Sequence, residues 1–165
     1  MKKYELTDEI KKIDDRTLHR IRALKDFGNV KKGDLGGWIE SEDNLSQKDD
    51  CWVFGNATVS DAVVWGNATV SGNAKVSGNA KVCDDAQLSK QTDVLTISPI
   101  GSRNDTTTFY KANGGKIFVK CGCKNVDIDA WLDMVKSTHG DNKHAKAYRL
   151  AAQIARLQIL EGEEE

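Results

Sequence analysis

The sequence lacks both a long apolar run and a large excess of charge. Its 165 residues carry 24 Lys and Arg against 25 Asp and Glu, for a formal net charge of -1. No global field therefore attracts duplex nucleic acid or an acidic membrane, and any anion site has to be local. No segment approaches the about 18 apolar residues of a membrane span, and the N-terminus has no signal-peptide core. We expect a soluble protein of the cytoplasm.

Cysteine is scarce, which limits metal and disulfide chemistry. The four cysteines are Cys51, Cys83, Cys121 and Cys123. In a chain without an export signal they are expected to be reduced. The Cys121-Gly-Cys123 pair is closely spaced and lacks a second cysteine pair, so the spacing does not fit a zinc site. We predict neither a metal nor a cofactor.

What the sequence has in abundance is a six-residue repeat between residues 51 and 100. Val70–Lys75 and Val76–Lys81 both read Val-Ser-Gly-Asn-Ala-Lys. The step from residue 59 to residue 64 is one short of six, which predicts a tight corner near Ser60 and Asp61. The repeated apolar position is occupied by Val53, Val59, Val64, Val70, Val76, Val82, Leu88, Val94 and Ile100.

Gly-Asn pairs begin at positions 55, 66, 72 and 78 and predict bends, because both residue types tolerate positive φ. The chain should coil, with Val and Ala stacked inside and Ser and Lys outside. The pattern aliphatic-x-Gly-x-Ala-x resembles the hexapeptide repeat of left-handed parallel β-helices, which implies about three hexads per coil. The alternative is a β-meander, against which the order Gly-Asn argues, since tight hairpins favour Asn-Gly.

The expected fold class is mainly β, with a short left-handed parallel β-helix in residues 51–100. Residues 1–50 are predicted to form an N-terminal β cap containing a hairpin, or alternatively an amphipathic helix over Lys11–Arg22. Residues 101–165 are predicted to form an α+β appendage with an acidic tail. This appendage should hold a hairpin around Asn113-Gly-Gly, a helix beginning near Asp127 and a second helix over 142–160.

The order of the segments also resembles proteins encoded by bacteriophages and prophages. The resemblance rests on Leu18–Phe27 and Gly33–Trp38, which precede the Gly-Asn-Ala repeats, and on the segment Thr138-His-Gly in the tail. It implies a setting in the cytoplasm of an infected host cell and identifies no activity.

Histidine is absent from the repeats. The best-known hexapeptide-repeat proteins are acyltransferases, and that resemblance implies a catalytic histidine near the coils. The three histidines of this chain are His19, His139 and His144, all outside residues 51–100. A non-enzymatic protein is therefore predicted, with an acyltransferase-like enzyme as the alternative.

Polar residues of the tail form the candidate ligand site. Arg103 offers a planar fork for a phosphate, and Tyr110 or Trp131 could stack on a base. The alternative is that Arg103 pairs with Asp105 and only closes a loop. The predicted anion-binding residues are Ser102, Arg103, Asn104, Asp105, Lys120, His139 and Lys143.

Phe54 and Trp65 occupy outward positions of the repeat, which predicts a covering surface on another subunit. The expected assembly is a homo-oligomer, with a trimer favoured. The predicted function is that of a phage-type binding protein, a counter-defence factor that sequesters a nucleotide signal or blocks a host protein. A purely structural oligomer is the remaining alternative.

Overall fold

In the part of the chain that the structure describes, the protein is mainly β, with four small sheets and two α-helices that follow the last strand. The structure, a computed structural model, describes residues 1–161. The chain divides into two compact units, Met1–Gln91 and Thr92–Glu165. The three-part division at residues 50 and 100 stays a prediction.

The first unit contains ten strands, most of them only two or three residues long. In chain order they are β1 (Tyr4–Ile13), β2 (Arg16–Ala23), β3 (Leu35–Ile39), β4 (Trp52–Val53), β5 (Thr58–Val59), β6 (Ala62–Val64), β7 (Thr69–Val70), β8 (Lys75–Val76), β9 (Ala80–Val82) and β10 (Gln87–Leu88). A short 3-10 helix spans Glu42–Asn44.

The N-terminal hairpin is confirmed. β1 and β2 pair antiparallel from Tyr4 opposite Ala23 to Ile13 opposite Arg16. The turn lies at Asp14-Asp15, where Asp14 has φ 52, a conformation that Asp adopts more readily than most residues. The alternating sequence therefore formed strands, and the alternative helix is absent.

The repeats form short parallel pairs between strands 17 or 18 positions apart. Trp52 pairs with Thr69, and Thr69 pairs with Gln87. From Val53 to Leu88 each Val or Leu at the repeated apolar position is at most 1% exposed. Close packing of layers also explains Gly72, because a Cβ at that position would lie 2.5 Å from the Ser89 carbonyl oxygen.

The predicted left-handed parallel β-helix is wrong as the fold of this chain. The strands belong to separate sheets of two to five strands and of mixed orientation, because β3 pairs antiparallel with β2 and parallel with β5. Bends at every hexad limit each ladder to two or three residues. Val94 and Ile100, predicted as the last inward positions, lie instead in an antiparallel strand. Among residues 1–161 no closed parallel β-helix is evident.

The second unit packs an antiparallel four-stranded sheet against two helices. Its elements are β11 (Val94–Ile100), β12 (Asp105–Lys111), β13 (Ile117–Cys121), β14 (Lys124–Asp127), α1 (Ile128–His139) and α2 (Lys143–Arg156), followed by a π-helical turn at Leu157–Glu161. The sheet order is β11-β12-β13-β14. The predicted hairpin and both predicted helices are thus confirmed.

Side-chain caps define where the two helices begin. The Asp127 carboxylate accepts the backbone N–H groups of Asp129 and Ala130 at 3.1 and 3.0 Å. The Asn142 side chain caps α2 in the same way. Each cap satisfies N–H groups that have no partner inside the helix.

The core of the second unit lies between its sheet and the inner helix faces. Its buried members are Phe109, Ile117, Val119, Ile128, Trp131, Val135, Ala145, Tyr148, Ala151, Ala152, Ala155 and Ile159. Small alanines along α2 let that helix approach the sheet closely. Within the described part of the chain, no helix combines the length and apolar character that crossing a membrane requires.

Candidate functional site

A cavity of about 220 Å³ opens beside the core of the second unit. The turn after β11, the β13–β14 connection, α1 and α2 all contribute to its wall. The lining residues are Ser102, Arg103, Asp105, Cys121, Gly122, Cys123, Lys124, Trp131, Met134, Val135, Thr138, His139 and Tyr148. Its wall therefore combines cations, aromatic rings and thiols.

Arg103 brings a guanidinium group to the cavity edge. It lies in a tight turn in which the Asn104 N–H donates to the Gly101 carbonyl oxygen at 3.3 Å. The guanidinium lies against Gly122, where an added Cβ would be 3.3 Å from Arg103 Nη1. The absence of a side chain at Gly122 therefore leaves room for the cation.

The alternative in which Arg103 pairs with Asp105 is not observed. The Asp105 carboxylate instead accepts the backbone N–H of Thr106 at 2.7 Å. Within residues 1–161, Arg103 makes no ion pair of 4.0 Å or less. Its charge is thus available to an anion that enters the cavity.

Tyr148 forms the buried back of the cavity. Its ring centroid lies 5.1 Å from that of Trp131 in an edge-to-face contact, and the Cys121 thiol donates to its hydroxyl at 3.9 Å. Burial, aided by Cys121, raises the pKa of Tyr148 to about 12. The hydroxyl is therefore protonated at neutral pH and can donate a hydrogen bond.

Gly101 makes room for that hydroxyl. A Cβ at this position would overlap the Tyr148 Oη, and the backbone has φ 76, a region that favours glycine. The turn that carries Arg103 therefore packs directly against the buried Tyr148, and Gly101 is the point of contact.

His139 ends α1 and lines the same cavity as Arg103 and Tyr148. Its ring centroid is 5.9 Å from that of Tyr148 and 5.8 Å from that of His144. The half-buried ring is one of the side chains that line the cavity.

Four of the seven predicted ligand-binding residues line this cavity. They are Ser102, Arg103, Asp105 and His139. Asn104 does not line it and adopts φ 50 in the turn, and Lys143 is exposed at the start of α2. Lys120 precedes Cys121 on β13, and successive strand side chains point to opposite faces. The assignment of these residues to ligand binding stays a prediction.

The sequence interpretation missed the tyrosine, both thiols and Lys124. Helical spacing offered a signal for Tyr148, because it shares the buried face of α2 with Ala145 and Ala152. Of the two proposed stacking residues, Trp131 lines the cavity. Tyr110 donates instead to the Asn125 side-chain oxygen at 2.7 Å. No signal in the sequence placed Cys121 against the tyrosine hydroxyl.

The remaining predicted features lie elsewhere or stay untested. Phe54 and Trp65 are half-buried in the first unit, and the predicted trimer stays a prediction. Across residues 1–161 no cluster of three His, Cys, Asp or Glu side chains could hold a metal ion. All four cysteines are free thiols.

The chain is similar over part of its length to a known protein. No protein-family model matches the chain. It is 35% identical over 77 residues to a protein of Escherichia coli (strain K12) named "Uncharacterized acetyltransferase YdcK". The match covers 41% of this chain and 24% of that relative, so the chain spans about a quarter of the relative's length. The similarity favours the acyltransferase alternative over the non-enzymatic prediction, and the phage setting stays a prediction.

Proposed function

We propose that this protein is an acyltransferase-like enzyme that holds an anionic substrate in the cavity of its second unit. The observation that carries the proposal is the presence of Arg103 and His139 on the wall of one cavity. The similarity to an acetyltransferase-named protein supplies the reaction class. Residues 51–100 contain no histidine, and of the three histidines His139 is the one that lines this cavity, so His139 is the proposed base.

The two residues have separate roles in this proposal. Arg103 binds a phosphate or carboxylate through its planar pair of N–H donors. The neutral imidazole of His139 takes the proton from an acceptor hydroxyl or amine as that group attacks the carbonyl carbon of an acyl thioester. The new acyl bond forms, the carbon–sulfur bond breaks, and the thiolate leaving group receives the proton. The Tyr148 hydroxyl is a second hydrogen-bond donor for the substrate.

Binding and turnover of acetyl-coenzyme A test this proposal on the full chain. We expect a thermal shift with acetyl-coenzyme A and release of free thiol when an acceptor is present. Arg103→Ala should weaken binding about tenfold or more, because a charge-assisted contact is lost. Arg149→Ala is the matched control, since that arginine pairs with Asp141 and does not line the cavity.

His139→Gln separates catalysis from binding. We expect thiol release to fall about a hundredfold, the usual scale for a lost general base, while binding changes little. His144→Gln is its control, because that ring lies 5.8 Å from His139 yet does not line the cavity. Equal activity of the two variants would contradict the role of His139.

Sequestration of a nucleotide without turnover is the second candidate. It is favoured by the surroundings of His139, because in the described part of the chain no side chain hydrogen-bonds to its ring. Catalytic bases are commonly oriented by such a partner. The edge-to-face pair of Trp131 and Tyr148 also offers an aromatic wall for a base. In this case the protein acts as a counter-defence factor by removing a signal.

Titration with cyclic and linear nucleotides distinguishes the candidates. Heat of binding without chemical change of the nucleotide supports sequestration, and mass spectrometry of co-purifying small molecules identifies the ligand directly. No heat with any nucleotide excludes this candidate. If neither acetyl-coenzyme A nor nucleotides bind, and Arg103→Ala leaves function unchanged, the purely structural alternative stands.

A further inference from the structure

The outer face of the C-terminal helical segment is apolar and uncovered. Four aliphatic side chains there are between 47% and 60% exposed, namely Leu150, Ile154, Leu157 and Leu160. Their spacing of four, three and three residues places them on one side of the helix and its π-helical end. Together they expose on the order of 400 Å² of apolar surface, a size at which patches are often functional. We name these four residues the outer stripe.

The core of the second unit does not use the outer stripe. The buried face of α2 is formed by Ala145, Tyr148, Ala151, Ala152 and Ala155. These residues lie on the opposite side of the helix from Leu150 and Ile154. The helix is therefore apolar on two faces, and a helix of this kind is stable in water when a second surface covers its outer face.

The two ends of the outer stripe carry opposite charge. Lys146 and Lys143 precede Leu150 by four and seven positions and are exposed on the same side. Neither lysine forms an ion pair among residues 1–161. At the other end, Glu161 follows Leu157 by four positions and is exposed. The stripe thus runs from a basic to an acidic end.

We propose that the outer stripe binds the outer stripe of a second copy of this chain in an antiparallel pair. A two-fold axis near Ile154 sets Leu150 opposite Leu157 of the second copy. The same axis sets Lys146 opposite Glu161 of the second copy. A two-fold pairing makes each favourable contact twice. A parallel pairing would instead bring like charges together at both ends.

The size of the stripe predicts a reversible association. Stable interfaces bury about 800 Å² per partner, about twice the aliphatic area of the stripe. The charged ends must supply the remaining contacts, and such contacts weaken with salt. We therefore expect a concentration-dependent dimer that is weakened, but not abolished, at high ionic strength.

The central contact is tested by Ile154→Glu in the full chain. Sedimentation across a concentration series should show a dimer for the wild type and a monomer for the variant. Ile10→Glu is the matched control, because it makes the same substitution at an isoleucine of β1 that is 55% exposed, against 50% for Ile154. The control should keep the wild-type mass, and circular dichroism checks that each variant is folded.

The antiparallel direction is tested by charge exchange. Lys146→Glu and Glu161→Lys should each weaken association about fivefold or more, because each creates two like-charge contacts. The double variant carrying both substitutions should regain association close to that of the wild type. Such rescue requires the two positions to face each other across the dimer.

Three outcomes would overturn the proposal. The first is a wild type that stays monomeric at every concentration, including one that binds anionic lipid vesicles instead. The second is an assembly whose mass is unchanged by Ile154→Glu. The third is a double variant that associates no more tightly than either single variant. A trimer assembled through Phe54 and Trp65 gives the second outcome. Arg103→Ala lies outside the stripe and should keep the dimer, so this test is independent of the proposed enzyme activity.

Discussion

Gly101 joins the turn of Arg103 to the buried Tyr148, and its replacement should be costly. Gly101→Ala should lower the free energy of unfolding by about 3 kcal/mol, combining backbone strain at positive φ with overpacking. Gly114→Ala is the control, because Gly114 has φ 74 but no atom within 4 Å of an added Cβ. Gly114→Ala should lower the free energy of unfolding by about 1 kcal/mol. Urea denaturation measures both, and equal losses would contradict the packing argument.

Tyr148 should make stability depend on alkaline pH. Its pKa of about 12 in the fold lies above the usual value of about 10. The protonated hydroxyl therefore stabilises the fold below about pH 10, and this contribution is lost as the pH rises through about 12. Tyr148→Phe should lose less stability than the wild type across this range.

Tyr4, which is present in both the wild type and Tyr148→Phe, serves as the internal control for this experiment. Burial also raises the pKa of Tyr4 in the first unit, and its contribution to the pH dependence is common to both proteins. The difference between the two unfolding curves therefore reports Tyr148 alone. Curves that fall in parallel above pH 10 would show that the hydroxyl is not protected in the fold.

At the scale of elements, neighbouring residues of a short repeat strand differ sharply in burial. Val64 in β6 is fully buried, whereas Val63 is 41% exposed. Val64→Ala should lower the free energy of unfolding by about 2 kcal/mol, because it removes buried methyl groups and leaves a cavity. Val63→Ala should cost less than about 0.5 kcal/mol. Thermal denaturation compares them, and a reversed order would contradict the inward register.

The first helix depends on its cap. Asp127→Ala should lower stability by about 1 kcal/mol, because two backbone N–H groups lose their acceptor. Asp127→Asn keeps an acceptor oxygen and should retain most of that stability. Asp133→Ala, at an exposed position within α1, controls for loss of charge. A cost at Asp133 as large as that at Asp127 would argue against capping.

At the scale of the whole molecule, the two units have separate cores. The losses of stability caused by substitutions in different units should therefore be additive. The free-energy losses of Val64→Ala and Asp127→Ala should sum in the double variant to within about 0.5 kcal/mol. The contrasting pair is Val64→Ala with Val82→Ala, since these residues are register partners in β6 and β9 and should couple. Hydrogen exchange resolves the loss in each unit. Strong coupling between Val64 and Asp127 would contradict separate cores.

Local sequence signals predicted the elements well, because they depend on neighbours in the chain. Alternation around Asp14-Asp15 marked the hairpin, and Asp127 marked a helix start. The hexad period correctly separated buried from exposed positions up to Leu88. It did not predict how the strands assemble, since the antiparallel hairpin joins the repeat strands in one sheet, and a six-residue period carries no information about that contact.

The candidate site shows the same division. Residue chemistry alone selected Arg103 and His139, because few side chains suit an anion and a proton. Whether they meet is a question of tertiary structure, and the sheet and helices place both on one cavity wall. Lys120 was selected on the same grounds, yet strand alternation assigns it and Cys121 to opposite faces. On a strand, a residue next in sequence to a cavity-lining residue therefore does not itself have to line the cavity.

By itself, the sequence determined the bends, the inward aliphatic positions, the helix starts and the absence of histidine from the repeats. These properties follow from the φ preferences, apolar periodicity and capping of residues close together in the chain. Only the tertiary structure decided the mixed sheets, the cavity around Tyr148 and the uncovered outer stripe. Those features depend on contacts between distant segments, where packing and burial outweigh local preference.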